Sequence, residues 1–268
     1  MQISDKQMQH LYTEDFFKDL QESSRQSAEE IVPLILEMIP SSRVVDVGCG
    51  DGTWLKVYHQ YGVKEILGID GSYVDENVLV IPRENFIPFD LTKPLKLDNK
   101  FDLVMSLEVA EHLPAECAES FIDSLTSLAP VVLFSAAVPE QGGENHINEQ
   151  WQEYWAEKFH RRGYVAIDCL RDKIWSNKKV AYWYSQNLLL FVQQEYLENN
   201  FSLKDKLKNF VVTNHSSLSV VHPMLYLIKI GKIEFPGQKK PEETSQKSTP
   251  GLLHRIITKA FKKLVKFS

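Results

Sequence analysis

Short runs of apolar, often β-branched residues recur along the chain, and between them lie stretches with apolar residues every three or four positions. The runs at 43–47, 65–69, 85–89, 101–107, 130–135, 164–169 and 188–193 read as strands. Several, such as VVDV and DLVMSL, are apolar at most positions rather than at alternate ones, which implies burial on both faces. Helical periodicity fills 53–61, a short piece near 73–79, then 115–128 and 149–162, with Gly163 placed to cap the last. Residues 14–39 form a further helix with Ile31, Leu34, Ile35 and Met38 on one face, and Pro33 within it predicts a break or a new first turn. This alternation predicts a mostly parallel sheet with helices on both sides. Residues 200–235 show no pattern that places them. The stretch 235–251, rich in Pro, Gly, Ser, Lys and Glu, reads as a flexible linker.

The first strand leads into an unusual turn. In RVVDVGCGDGTW, residues 43–54, Asp46 and Val47 are followed by Gly48, Gly50 and Gly52 at alternate positions. Glycine lets a backbone bend sharply and approach a ligand with no Cβ in the way. In open α/β sheets, ligands bind beyond the carboxyl ends of the strands. The spacing is not the G-x-G-x-x-G of a nicotinamide site, which disfavours an oxidoreductase. A tight turn with no ligand is the plain alternative. Three more strands end in acids: Asp70 in LGID, Asp90 in NFIPFDL and Glu108 after FDLVMSL. An acid at the position of Asp70 can accept two hydrogen bonds from a ribose diol. Asp90 with Leu91 could hold an adenine.

Composition narrows the classes. The chain has 268 residues with 43% hydrophobic and 25% charged, an ordinary globular balance that argues against disorder. A net charge of −6 gives no reason to expect a nucleic-acid binder. The basic residues concentrate in the tail, which disfavours an RNA substrate. Cys49, Cys117 and Cys169 lie far apart without metal-ligand spacing and read as reduced thiols of a cytoplasmic compartment. The polar N-terminus shows no secretory segment, and no apolar run is long enough to span a bilayer.

VVDVGCGDGTW, LGID, FDLT and FDLVMSLEVAEHLP, in this order and at this spacing, resemble the motif series of class I S-adenosylmethionine-dependent methyltransferases over roughly residues 23–195. The resemblance implies a Rossmann-like seven-stranded sheet of order 3-2-1-4-5-7-6 with strand 7 antiparallel. The α/β domain would span 41–234, preceded by a helical cap over 1–40. It implies that Asp46, Gly48 and Gly50 line the methionine part of S-adenosylmethionine, that Asp70 takes the ribose, and that Asp90 with Leu91 takes the adenine. Gly71 and Glu108 complete the cofactor set. Tyr12, Phe16 and Ser27 either contact the cofactor from a helical lid or belong to an amphipathic helix packed on the sheet.

Methyl transfer from a sulfonium is an in-line displacement, so the protein's tasks are to align an acceptor and to handle its proton. A hydroxyl acceptor calls for a base or a metal. EVAEHLP offers one site: if helical, it sets Glu108, Glu111 and His112 on one face, a donor set suited to a divalent cation such as Mg²⁺. It is similar to the Glu-x-x-Glu-His segment of metal-dependent methyltransferases. That segment also occurs in relatives where the Glu meets the cofactor end and the His packs. EQGGENHINEQW, residues 140–151, offers another. Gly142 and Gly143 predict a mobile loop in which His146 is the general base, a further metal ligand beside His112, or a surface residue of a polar loop, and Asn148 caps the next helix. His146, His112 and Glu111 are thus the catalytic candidates. The pattern around His146 resembles methyltransferases of saccharide and surface-glycan biosynthesis, which implies a glycan or small-molecule acceptor.

Trp151, Trp155 and Phe159 recur every four residues as a core-facing stripe. Trp175, Tyr182, Trp183 and Tyr184, next to Lys178 and Lys179, either face the acceptor cleft or form a strand-edge cluster. In 252–266, apolar pairs spaced by four face Arg255, Lys259, Lys262, Lys263 and Lys266, with no acid. Residues 252–268 therefore read as a basic amphipathic helix that binds the inner membrane surface peripherally, or that docks its stripe on protein.

Overall fold

The computed structural model describes residues 14–232. The linker, the basic tail, Tyr12 and the side chain of Phe16 lie outside the described residues. Helix α1 (Glu14–Met38) leads into β1 (Arg43–Val47), α2 (Thr53–Gln60), β2 (Glu65–Asp70), β3 (Phe86–Pro88) and β4 (Leu103–Leu107). Then come α3 (Ala118–Leu128), β5 (Val131–Ser135), α4 (Gln152–His160), β6 (Tyr164–Ile167), α5 (Arg171–Ile174), α6 (Tyr182–Asn187) and β7 (Leu189–Gln193). The described part closes with α7 (Gln194–Asn199), α8 (Phe201–Leu207), β8 (Val211–Val212) and α9 (Pro223–Lys229).

Strand pairing follows from the apolar runs. β3, β2, β1, β4 and β5 are parallel neighbours in that order, and β7 inserts antiparallel between β5 and β6. Successive residues of a strand face opposite sides of a sheet. Val44, Leu103, Met105 and Leu133 accordingly enter one buried layer with α1 and α2, while Val45, Val104, Val132 and Phe134 enter the other with α3 and α4. In the second layer Phe159 stacks on Phe191, ring centroids 4.0 Å apart.

Four expectations are corrected. The sheet has eight strands among the described residues, because Val211 and Val212 pair with Ile167 and Ala166 beyond β6. Pro33 does not interrupt α1. Its cost in a helix interior, about 3 kcal/mol, is met by neighbours Ile31, Val32 and Ile35, all fully buried. Asn148 is not a helix cap: α4 starts at Gln152, with Trp151 at the cap position and no side-chain bond there. Trp151 consequently leaves the apolar stripe and is 40% exposed, while Trp155 and Phe159 are buried. No helix among the described residues is long and apolar enough to cross a membrane.

Ser27 Oγ accepts the Ala181 backbone N–H at 3.0 Å, and Glu30 holds Asn177 and Lys179. Ser27, fully buried, thus ties α1 to the segment before α6.

Candidate active site

Parallel strands bring their carboxyl ends to one rim. Asp46 of β1 is level with Gly68 and Met105, Asp70 closes β2, and Glu108 follows β4 directly. Asp46 is 3% exposed and Asp70 4%. Burial pushes the Asp46 carboxyl well above its usual range, and the negative charges of Asp70 and Asp51 push it further. Burial also raises Asp70, against hydrogen bonds from Tyr73 and from the Gly50 and Gly71 backbone. Gly50 N–H donates to Oδ2 at 2.7 Å. Gly71 N–H and the Tyr73 hydroxyl donate to Oδ1 at 2.6 and 2.5 Å.

The glycine turn serves two ends. Gly48 and Gly50 both hold left-handed backbone, with φ of 90° and 54°, which glycine alone adopts without strain. A Cβ on Gly48 would fall 2.3 Å from Val109, so this glycine makes room for the protein's own packing. Around Gly50 nothing lies within 4 Å, so its missing side chain borders open space. Gly71 is required by Tyr73, whose ring would meet a Cβ at 2.1 Å. Asp90 lies past the end of β3, is exposed, and holds Thr92 by its N–H (3.1 Å) and hydroxyl (2.6 Å), which lowers its carboxyl. Leu91 beside it is buried.

The segment after β4 is not a helix face. Glu108 has φ 55°, and only a three-residue 3₁₀ turn, Ala110–His112, follows. The metal-ligating atoms that come within 4.8 Å of one another belong to Glu111, His112 and His146. Glu108, expected in that set from helical spacing, has its carboxylate held by Gln141 and Asn187 instead. It keeps some solvent access, yet the dense surroundings still push its carboxyl up.

Backbone bonds bring His146 to this place. Ile147 and Asn148 N–H donate to the Glu111 carbonyl at 2.9 and 3.0 Å, and Gln150 N–H to that of Ala137. Glu149 Oε1 accepts from Gly142 N–H at 2.7 Å and pairs with His146 Nδ1 at 2.9 Å. The loop is thus stitched down, and Gly143 gives the imidazole clearance, since a Cβ there would lie 2.2 Å from its Nε2. The His112 and His146 rings meet edge to face, centroids 4.8 Å apart. Burial, and then the neighbouring His146, push the His112 imidazole down to about 4, so it stays neutral at ordinary pH. Glu111 is fully buried, and neither carboxylate oxygen has a partner of hydrogen-bond geometry. Its carboxyl is driven well up by burial, and next by Glu108, only partly opposed by its own and Ala137's backbone N–H groups. A buried, unpartnered carboxylate beside two imidazoles is a donor set that fits a divalent cation.

Sequence reasoning missed Gln141, Gln186, Asn187, Glu149 and Tyr73. One signal was present: in YSQNLLLF a polar pair directly precedes an apolar strand. Because β7 runs antiparallel, its first residue pairs with Phe134 near the end of β5, which sets Gln186 and Asn187 at the rim where the parallel strands stop.

The sequence matches the family described as "Methyltransferase domain" over residues 12–171. No curated protein matches it. Among solved structures, the methyltransferase domain of the bacterial CtHen1-C is 20% identical over 62% of this chain and 97% of its own, with a TM-score of 0.47. An O-methyltransferase family protein from Burkholderia thailandensis is 12% identical over 71% of this chain and 63% of its own, with a TM-score of 0.51. With it the chain shares a Rossmann-like methyltransferase fold. Magnesium protoporphyrin IX methyltransferase from Synechocystis, solved with bound SAH, is 19% identical over 72% of this chain and 89% of its own, with a TM-score of 0.46.

Proposed function

The chain belongs to the family of methyltransferase domains, and from that premise we propose that it is an S-adenosylmethionine-dependent O-methyltransferase acting on a hydroxyl of a saccharide or glycan precursor. The observation that carries the cofactor assignment is the rim, where Asp46, Asp70 and Glu108 surround a turn whose Gly50 borders open space. Asp70 accepts the ribose hydroxyls, one of them in place of the Tyr73 hydroxyl, Gly71 lies beside it, and Asp90 with Leu91 flanks the adenine. Asp46, Gly48 and Gly50 line the methionine part. The charges acting on Asp46 are negative, so this end attracts a cationic group. Bound there, S-adenosylmethionine supplies an electrophilic methyl group on a sulfonium.

An alcohol needs help to attack at neutral pH. His146 Nδ1–H donates to Glu149, which leaves the Nε2 lone pair to take the acceptor's hydroxyl proton. The same imidazole stands with Glu111 and His112, and the unpartnered Glu111 oxygens favour an alternative use of that lone pair, holding Mg²⁺ or a similar divalent cation instead of taking the proton. Such a cation would supply Lewis-acid polarisation of the acceptor oxygen.

His146→Ala is expected to leave cofactor affinity unchanged and to lower turnover about tenfold or more, read by transfer of labelled methyl to acceptor. Unchanged turnover removes His146 from the mechanism. Activity that survives chelation, with no metal bound, leaves His146 the proton role alone. Activity lost to chelation and restored by Mg²⁺ supports the cation.

A saccharide acceptor is supported by aromatic faces near the same loop. Tyr182 and His222 rings are inclined by 30° with centroids 6.2 Å apart, and the Trp175 ring centroid lies 4.7 Å from that of His222. Tyr182 is close enough to Glu108 and Glu149 for their charges to add to burial in pushing its phenol up to about 12. Flat aromatic faces suit the apolar faces of sugar rings. In an acceptor screen, a phenol methylated in preference to saccharides would replace this choice.

Residues 252–268, joined through the linker 235–251, are the candidate membrane attachment, each basic residue contributing about 1 kcal/mol at an anionic surface. The full chain is expected to sediment with anionic vesicles, and removal of 252–268 to abolish this. Equal sedimentation of both forms rejects the attachment.

A further inference from the structure

The stretch that matches the family ends at residue 171, yet a side chain from beyond it, Asn187, joins Gln141 from within it on Glu108 at the end of β4. Asn187 Nδ2 donates to both oxygens of Glu108, at 3.1 and 3.3 Å. Gln141 Nε2 donates to Oε2 at 2.9 Å. The two amides come from different elements, Gln141 from the loop after β5 and Asn187 from the last position of α6.

Their own acceptors are occupied. Gln141 Oε1 receives Gln186 Nε2 at 3.0 Å, Asn187 Nδ2 at 2.9 Å and the Val138 N–H at 3.3 Å. Asn187 Oδ1 receives Gln186 Nε2 at 3.0 Å. Gln186 Oε1 in turn receives the His222 N–H at 2.8 Å. Gln186 is 0% exposed, Asn187 1% and Gln141 6%. A buried polar network with every arm engaged has one arrangement, because any rotation leaves a buried group unpaired. Glu108 also sits on left-handed backbone, φ 55°, which a side chain other than glycine adopts only when its surroundings hold it there.

Amides differ from lysine or arginine in this role. They fix a carboxylate without bringing a positive charge to cancel its own. The two amides favour the ionised form of Glu108, opposing the burial that pushes its carboxyl up.

We propose that Gln141 and Asn187, locked by Gln186, are positioning residues for Glu108, and that the C-terminal third of the chain thereby completes the cofactor-facing rim that the family-matched segment leaves unfinished. The inference rests on the cofactor reading above. It deepens that reading by assigning rim geometry to Gln186 and Asn187, which lie beyond the family match, together with Gln141 within it.

The test is a double-mutant cycle on the full chain, with S-adenosylmethionine affinity read by calorimetry. Asn187→Ala and Glu108→Ala are each expected to weaken binding about tenfold. The double variant is expected to bind within about twofold of Glu108→Ala alone, since Asn187 acts through the carboxylate it holds. A role in packing alone gives effects that multiply, to about a hundredfold in the double variant, and overturns the proposal. So does an Asn187→Ala protein that binds normally. If Asn187→Ala does not fold, Gln141→Ala enters the same cycle from the other side of Glu108. Absence of binding by the wild-type chain would overturn the cofactor reading itself, and is distinct from a multiplicative cycle in a chain that binds.

Discussion

Asp70→Ala is expected to abolish measurable S-adenosylmethionine binding, a loss of about a hundredfold or more, while the sheet stays folded. The size follows from what the carboxylate does. Two hydrogen bonds from a ribose diol to a charged acceptor are each worth roughly 1.5–3 kcal/mol, and 1.4 kcal/mol is tenfold in affinity. Asp70 also organises the rim before any ligand arrives, because Gly50 N–H, Gly71 N–H and the Tyr73 hydroxyl all converge on it. Removing it would free the glycine turn from β2 as well as delete the proposed ribose acceptor. The fold persists because the neighbouring core residues, Ile66 and Ile69 among them, are untouched, so melting falls by only several degrees. Calorimetry together with a thermal melt checks both halves. An Asp70→Ala protein that melts cooperatively and binds the cofactor as the wild type does places the nucleoside elsewhere.

Glu111→Met is expected to erase the response to divalent cations and to leave the cation-free protein at least as stable as the wild type. Glu111 is fully buried with both oxygens unpartnered, a costly arrangement for a carboxylate without a counter-charge. Replacing a buried, uncompensated acid with an apolar side chain of similar length removes that cost. In the wild type a cation on Glu111, His112 and His146 would offset it instead. At a cation concentration about a hundred times Kd, binding adds about 2.7 kcal/mol, or about 5–10 °C in Tm for a domain of this size. Thermal melts with Mg²⁺ or Mn²⁺, after treatment with a chelator, provide the comparison. A wild-type Tm that ignores both cations, or a Glu111→Met protein that still responds, removes the cation site.

The rim was the most legible part of the sequence. β1 was bounded correctly at Arg43–Val47, and β2 runs one residue past its expected end to include Asp70, because long apolar runs flanked by polar turns leave little freedom in a parallel sheet. The acids after those strands share an edge for the same reason. What depends on distant partners was not legible. Gly48 answers to Val109, which no local pattern reveals. β8 has only two residues at the sheet edge, too few to show an alternation. Helical spacing joined Glu108 to Glu111 and His112, but the left-handed backbone at Glu108 sends its carboxylate to Asn187 and Gln141. Asn148 had the chemistry of a helix cap, yet its N–H is committed to the Glu111 carbonyl three residues before the cap position. That commitment also brings His146 beside His112.

The most direct test is calorimetric titration of the purified full chain with S-adenosylmethionine and with its demethylated product. Saturable uptake of both, at one site per chain and with affinities of about micromolar to submillimolar, is the predicted result. A cooperatively melting protein that takes up neither compound would contradict the account.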